Sequence, residues 1–428
     1  MMKYPNRSMQ PNINLVDSIN LKQPEVRSLK NGIPVYLIDA SSQDILKLEF
    51  SFKAGSWYEK KKLTAGFTSR MLKEGSKKFS AMEIADKIDY YGAILDIVSD
   101  KDMSSVSLYT LNKYIENILP VLTEVIQAPV FPQYELDIMK QNRKQHFLVN
   151  NEKVKYLAKR KFNELIFGSD HPYGKVFREA DFDDIKKSDL EQFHRQFYNP
   201  QNCTIIVSGK IPVNIVDLLN VFFGWKWSGD FIPGVQSNNQ PLHTIGKNEH
   251  IHKSNAVQTA IRIGKVMFNK THPDYLKLKV LNTILGGYFG SRLMTNIRED
   301  KGYTYGIGSA IAPLHRSGYF FIASEVGSEV AEKAIDEIYI EIDKLRQDKV
   351  TERELSIVKN YMMGSFLRSV DGAFALADHL KGIIEYGLDY GFFDRYVEVI
   401  KTIGPVEIRD LAQCYFADES LSQLTVGP

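Results

Sequence analysis

Short alternations of apolar and polar residues and longer stretches of helical spacing take turns along this chain. Residues 26–38 predict a strand, a turn at Asn31-Gly32 and a second strand, PVYLI. ILKLEFSFKAG alternates as a half-buried strand ending at Gly55. Residues 63–72 and 81–91 carry helical spacing, the second with Ser80 as its cap. ILDIVSD and MSSVSLYTL follow as two strands, then a helix over 115–126 and a long helical region over 133–167, dense in Lys, Arg and Gln. Ser188 opens a further helix, and CTIIVSG is a buried strand that closes the first half.

Periodicity disappears at WSGDFIPGVQSNNQ, residues 227–240, where Gly, Pro, Ser and Asn dominate. Four regions follow: a flexible arm over 1–25, a domain over 26–228, a linker over 229–243 and a second domain over 244–428. The two halves read as repeats. SDLEQFHRQFYNPQNCTIIVSG, from Ser188, lies over VEIRDLAQCYFADESLSQLTVG, from Val406, without a gap at an offset of 218. Leu190, Phe193, Phe197, Tyr198, Ile206 and Gly209 face Ile408, Leu411, Tyr415, Phe416, Leu424 and Gly427. Apolar positions stay in phase through helix, turn and strand, as expected of a duplicated unit. Each half then predicts an α+β domain, a mainly antiparallel sheet covered by helices.

The least generic stretch is LGGYFGSRLMTNIREDKGYTYGIGSA, from Leu285. An apolar helical pattern, LKLKVLNTILG, runs into Gly286-Gly287. SRLMTNIRED predicts a short helix with Ser291 as cap, stopped by Lys301-Gly302. YTYGIGSA then reads as a strand with Tyr303 and Tyr305 on the same side. On spacing alone, Arg298 can pair with Glu299 or Asp300, and Tyr305 can be a core residue.

GGYFGSRL…REDKGYTY resembles the second domain of insulinase/pitrilysin-type zinc peptidases, in particular the small bacterial and mitochondrial-processing-peptidase branch. The resemblance runs from about Leu29 to the C-terminus. It implies two homologous domains facing each other as a clamshell, a LuxS/metallohydrolase-like fold. It also implies an arginine and a tyrosine seven residues apart that reach into the first domain's active site, and Arg298 and Tyr305 have that spacing. Peptide hydrolysis builds negative charge on a carbonyl oxygen, which a guanidinium and a phenol can stabilise.

Catalytic members of the family carry H-x-x-E-H on a first-domain helix, two histidines for zinc and a glutamate as base. KAGSWYEKKKLTAGFTSRMLKEGSKKFS has the layout of that segment, with the motif positions on Gly66, Ser69 and Arg70. None is a zinc ligand, and a permanent cation at Arg70 repels metal. The third-ligand region falls near QHFLVNNEKV, at Leu148 or Val149, with Glu152 the nearest carboxylate. Neither H-x-x-E-H nor H-E-x-x-H occurs in the chain. His250 and His252, an i, i+2 pair, read as a surface strand without a third ligand, and His171 in HPYG as a turn residue.

The resemblance therefore implies the zinc-less subunit of a two-chain peptidase. It needs no cofactor of its own; zinc is expected in a homologous H-x-x-E-H partner, and peptides are the substrates. Gly286, Gly287 and Gly290 would let backbone approach the peptide, although a tight helix–helix turn explains Gly286-Gly287 equally well. LEFSFKAG, residues 48–55, corresponds to the family's substrate-edge segment, with the partner's edge the better place for substrate in a divided enzyme. The alternative is a structural core subunit or peptide-binding scaffold with no role in hydrolysis.

Composition adds exclusions. Of 428 residues, 43% are hydrophobic and 25% charged, ordinary for a globular protein. A net charge of +2 without a basic block gives no support to a nucleic-acid partner. Cys203 and Cys414 supply neither a disulfide framework nor a cysteine metal site. The N-terminus, MMKYPNRSMQPNINLV, has no apolar core of signal type, and no run reaches membrane-spanning length, so no membrane partner and a cytoplasmic location are expected.

Overall fold

The structure is a computed structural model that describes residues 21–225, 227 and 246–428. The expected linker over 229–243 and residues 1–20 of the expected arm lie outside the described residues.

The first half contains β1 (Glu25–Ser28), β2 (Pro34–Asp39), β3 (Ile45–Phe52), α1 (Thr64–Met71), α2 (Ala81–Tyr90), β4 (Ile94–Ser99), β5 (Ser104–Leu111), α3 (Ile115–Gln127), α4 (Gln133–Asn151), α5 (Val154–Phe167), α6 (Glu179–Asp184), α7 (Lys187–Phe197), β6 (Cys203–Gly209) and α8 (Ile215–Leu219). The second contains β7 (Asn248–His252), β8 (Gln258–Met267), α9 (Tyr275–Asn282), β9 (Ile307–Leu314), β10 (Ser317–Gly327), α10 (Ala331–Gln347), α11 (Glu352–Ser369), α12 (Ala373–Ile384), α13 (Gly391–Thr402), α14 (Pro405–Tyr415) and β11 (Ser422–Gly427).

The local rules hold where the chain states them strongly. Ser80 caps α2 in a capping box: its hydroxyl accepts from the Glu83 N–H at 3.3 Å, and the Glu83 carboxylate accepts from the Ser80 N–H at 2.8 Å. The region 133–167 is not one helix. It breaks after Asn151, with Lys153 in an extended conformation. Packing explains the break, because α4 lies on α6 of its own half while α5 crosses to the other half's sheet.

Each half forms one sheet. Among the described residues the strand order is β1-β2-β6-β3-β5-β4 in the first and β7-β11-β8-β10-β9 in the second. One pair in each is parallel, β2–β6 and β7–β11, and the other pairings are antiparallel. The strand β3 is internal. Phe50 lies opposite Val106 of β5 on one side and Ile205 of β6 on the other. This corrects the expectation that residues 48–55 form a substrate edge, because both backbone edges of β3 are already paired. The edges of this sheet among the described residues are β1 and β4, and on β4 Ile94, Asp96 and Val98 point to solvent. The edge expectation came from the family resemblance; alternation along a strand reports its faces and is silent about its neighbours.

The repeat is present element by element. At the offset of 218, α7, the turn Pro200–Asn202 and β6 become α14, the turn Asp418–Ser420 and β11. The same offset takes α5 onto α12. These two helices are exchanged between the halves. Ala158, Phe162, Leu165 and Ile166 of α5 pack with Ala260, Leu424 and Val426 of the second sheet. Leu376, Ala377, Leu380 and Ile383 of α12 pack with Ile38 and Ile206 of the first. Each buried Leu, Ile, Val or Phe among them contributes about 1.5–3 kcal/mol.

The seam under α12 also buries charge. Lys47 and Glu49 of β3 are 4% and 3% exposed and lie 2.8 Å apart. Lys47 reaches Asp378 of α12 at 2.6 Å, and Lys381 of α12 pairs with Glu49. Burial alone would raise the Glu49 carboxyl, but the Lys381 and Lys47 ammonium groups outweigh it and hold it below the ordinary 4.5. The stability Glu49 contributes is thus present above about pH 4.5 and lost as the pH falls through its lower folded value. Glu49→Gln should destabilise the protein by about 3 kcal/mol at neutral pH and flatten the acid limb. Urea unfolding between pH 3 and about 7 measures both; an unchanged midpoint would show that the seam does not depend on this charge.

Candidate functional site

The chain around Arg298 is built from two π-helical turns, a distortion frequent at functional sites. The helix α9 runs on through the π turn Thr283–Gly287. Gly286 abuts β9, where a Cβ would lie 2.6 Å from the Ser309 hydroxyl and 2.7 Å from its backbone nitrogen. That contact is with the protein itself, so close helix–strand packing accounts for this glycine. Gly287 and Gly290 are exposed, and a Cβ at Gly290 would meet the Tyr288 ring at 2.9 Å.

The second π turn, Met294–Asp300, carries Arg298. Side chains pin it to the helices behind. The Asn296 amide donates to Glu337 at 3.0 Å and to Glu341 at 2.8 Å, both on α10. Lys301 pairs with Glu337 at 3.0 Å. Arg292, just ahead of the turn, grips Glu354 of α11 through two hydrogen bonds of 2.8 and 3.0 Å. Among the described residues Arg298 has no carboxylate partner; its guanidinium lies 4.6 Å over the half-exposed Phe289 ring.

Tyr305 does not lie in a strand, because β9 begins at Ile307. Tyr303 packs against the second core while Tyr305 is 95% exposed, so the expectation that both share one strand face is corrected. Thr304 anchors the segment by donating to the Glu325 carbonyl at 2.6 Å and accepting from the Gly306 N–H at 3.1 Å. These local hydrogen bonds compete with strand pairing. The Glu325 carboxylate pairs with Lys155 at 2.8 Å, at the start of α5. The Tyr305 segment is therefore tied to the α4–α5 junction of the other half.

The first-half motif positions all lie on α1. Leu63, just before it, sits in the left-handed region at φ 72°. The Glu59 carboxylate holds this entry by accepting from the Leu63 N–H at 3.2 Å and the Ala65 N–H at 3.0 Å. Ser69 is buried. Arg70 folds back along the helix and donates to the Gly66 carbonyl at 2.9 Å, and a Cβ on Gly66 would lie 3.1 Å from that guanidinium. Burial, and then the nearby charge of Arg143 on α4, depress Arg70 below its ordinary value.

Two segments match models of one family: 35–167 the model described as insulinase (peptidase family M16), and 184–362 the model described as the peptidase M16 inactive domain. The chain belongs to the M16 insulinase family. It is 25% identical over 420 residues to an uncharacterized zinc protease of Rickettsia felis, covering 94% of this chain and 97% of that one. A non-peptidase homologue of Helicobacter pylori, YmxG, is 24% identical over 320 residues, covering 73% and 72%. The crystal structure of a peptidase M16 inactive domain from Pseudomonas fluorescens superposes with a TM-score of 0.85 at 23% identity, covering 95% and 98%, and this likeness carries the fold.

The M16 metal does not fit this chain. Arg70 occupies the space over Gly66, Ser69 is buried, and Leu148 and Val149 offer no donor atoms. Glu152 pairs with Lys253 at 2.9 Å. Among the described residues no group of three or more His, Cys, Asp or Glu side chains could hold a metal ion. His250 and His252 are exposed on the edge strand β7, and the His250 ring bonds the Thr425 hydroxyl at 2.9 Å. The His171 ring accepts from the Tyr173 N–H at 3.1 Å, the turn-fixing part expected of it. Sequence reading missed what this turn presents. The Tyr173 hydroxyl donates to Asp102 at 2.6 Å, and Asp102 accepts from the His315 N–H of the second half at 3.0 Å. No helix among the described residues is long and apolar enough to cross a membrane.

Burial pushes the Glu59 carboxyl up to about 7, although the Ala65 and Leu63 N–H groups and the charges of Lys101 and Lys175 pull it down. A raised folded value makes its contribution to stability fullest below pH 4.5 and lost as the pH rises toward 7, at most about 3 kcal/mol. Glu59→Gln should flatten urea stability over that window and leave the acid limb from Glu49 in place.

Proposed function

We propose that this M16 chain is the zinc-less subunit of a heteromeric peptidase and supplies Arg298 and Tyr305 to peptide bound against a homologous H-x-x-E-H chain. The observation that carries the reading is the contrast between the two halves. The α1 positions present an arginine where the family's metal chemistry needs ligands. The opposite half presents a guanidinium without a carboxylate partner and a phenol that is 95% exposed, both on a pinned frame.

Metal in the partner would polarise the scissile carbonyl and supply the attacking water. The contribution of this chain is donors. The Tyr305 hydroxyl hydrogen-bonds the carbonyl oxygen as charge grows on it, and Arg298 holds a neighbouring carbonyl or carboxylate through its fork of N–H groups. A donor used in this way is worth about 2.7–4 kcal/mol at the transition state. Peptide binds as an added strand along a sheet edge. Among the described residues the edge strands are β1, β4, β7 and β9, and β9 begins two residues after Tyr305.

A scaffold without a role in hydrolysis is the second reading, favoured by the similarity to the Helicobacter non-peptidase homologue. Mixing experiments separate the two. The purified chain should bind no stoichiometric zinc and cleave no peptide, and addition of the H-x-x-E-H homologue should produce cleavage. Tyr305→Phe or Arg298→Ala in this chain should then lower kcat by about 100–1000-fold. Full turnover with both variants would leave the scaffold reading standing.

A further inference from the structure

The mismatch between α1 and a metal leaves positive charge without an answer. Two guanidiniums come together where α1 passes α4. Phe67 of α1 and Phe147 of α4 both pack on Phe182 of α6, with ring centroids 6.3 and 5.4 Å from it. Past the other end of α1, a Cβ on Gly75 would lie 3.0 Å from Pro132, the residue just before α4. The two helices therefore run antiparallel. Arg70 lies one turn after Phe67, and Arg143 one turn before Phe147. Both are thus displaced the same way from the aromatic contact, by about 4.5 and 6 Å at the helical rise.

Neither guanidinium has a carboxylate partner among the described residues. Arg70 donates one N–H to the Gly66 carbonyl at 2.9 Å. The charge that acts on it is that of Arg143, which adds to burial in depressing it. The acids of this region are engaged elsewhere. Glu74 and Glu135 act on one another and on Lys73 past the end of α1. The other cations of α4 turn to α6, where Lys144 pairs with Asp183 at 2.8 Å and Lys140 donates to the Asp183 carbonyl at 2.9 Å. Both arginines can be reached from outside: Arg143 is exposed and Arg70 half-buried. Over Gly66 a Cβ would meet the Arg70 guanidinium at 3.1 Å and no other neighbouring group within 4 Å, so the approach to that guanidinium is open.

Two like charges held together destabilise the unliganded chain, and an anion between them reverses the sign of the interaction. The guanidinium fork suits a carboxylate, which accepts two parallel N–H bonds from it. We propose that Arg70 and Arg143 form a carboxylate-binding site for peptide, taking either the free C-terminus of a peptide chain or an acidic side chain within it. Peptide is the source because the opposite half presents its own peptide donors, Arg298 and Tyr305; the inference rests on that part of the proposed function and not on hydrolysis. A carboxylate held here fixes one point of a peptide beside α1, so the helix that offers no metal ligand offers an anchor.

The test uses the full chain without a partner. Three pools of random N-acetylated octapeptides, ~1 mM in total, are added in turn, and Tm is measured. The rate at which phenylglyoxal modifies Arg70 and Arg143 is mapped by mass spectrometry in the same samples. One pool has free C-termini and no Asp or Glu, the second is its C-terminal amide, and the third is the amide with one internal Glu. At least one carboxylate-bearing pool should raise Tm and slow modification of both arginines about tenfold, and which pool does so tells the C-terminus from the side chain. The acid-free amide should do neither. Arg143→Gln removes the repulsion and should leave the unliganded Tm unchanged or higher, yet abolish the peptide effect. Arg70→Lys keeps the charge without the fork and should weaken it. The proposal is overturned if no pool protects, if the acid-free amide or inorganic phosphate protects as well as the carboxylate pools, or if both variants respond as the parent does. Full turnover by Arg298→Ala in the mixing experiment would sink the hydrolytic reading and leave this protection unchanged.

Discussion

Neither sheet of this protein covers itself. The helix that follows α4 leaves its own half and closes the second sheet, and its counterpart α12 returns the favour to the first. Without the exchange, each sheet would expose an apolar strip along its central strands, Ile38 and Ile206 in one and Ala260, Leu424 and Val426 in the other. The halves are therefore obliged to fold against each other, and their relative placement is part of the core. The two seams are chemically unequal. Under α5 the contact is apolar, and burial alone supports it. Under α12 it includes the buried pair Lys47 and Glu49, reached by the partly buried Lys381 and the exposed Asp378, and a buried pair repays its desolvation only when its partners are present.

This exchange also decides what a site on one half can share with the other. Lys155 is the second residue of α5, and its ion pair with Glu325 holds the strand on which Thr304 anchors the Tyr305 segment. On the other side α5 follows directly from α4, whose Arg143 stands near Arg70. The stretch of α4 from Arg143 to its end is about 12 Å long at the helical rise. The α1 positions Gly66, Ser69 and Arg70 and the Arg298–Tyr305 segment thus flank one helical junction, joined through side chains outside both. Around α1 the fold keeps features that are costly in themselves: a leucine at positive φ and a carboxyl raised to about 7. Such features persist when the surrounding packing over-determines them.

Much of this was legible in the chain because its patterns are local. The repeat showed itself in one unbroken unit, α7 to β6 over α14 to β11, whose apolar positions stay in phase through three kinds of structure. Gly66, Ser69 and Arg70 declared the chemistry they lack, since ligand capacity is a property of residue type. What escaped depends on partners distant in sequence. The break between α4 and α5 has no proline or glycine to announce it and follows from where each helix finds its apolar contact. The pairing of β3 on both edges is invisible to alternation, so nothing in the residues countered the edge that the family resemblance implied for 48–55. Tyr305 alternates correctly for a strand, but the Thr304 hydroxyl captures the backbone first.

The mount of Arg298 and Tyr305 shows how such a segment can be both exposed and exact in position. An exposed aromatic ring adds little to folding, and an arginine without a carboxylate gains little from its charge. Their neighbours do the opposite. Asn296 bridges two glutamates, Arg292 grips a third through two bonds, and Thr304 ties the chain to β10. Stability is concentrated in the frame; among the described residues Arg298 lies over the Phe289 ring without a carboxylate partner, and Tyr305 is 95% exposed. Donors held this way need no reorganisation when negative charge appears in front of them, the condition under which a fixed dipole or cation is most effective. The proposed function gives such a frame a use: α1 offers no metal ligands, so on that reading the charge its two outward groups meet arises on another molecule.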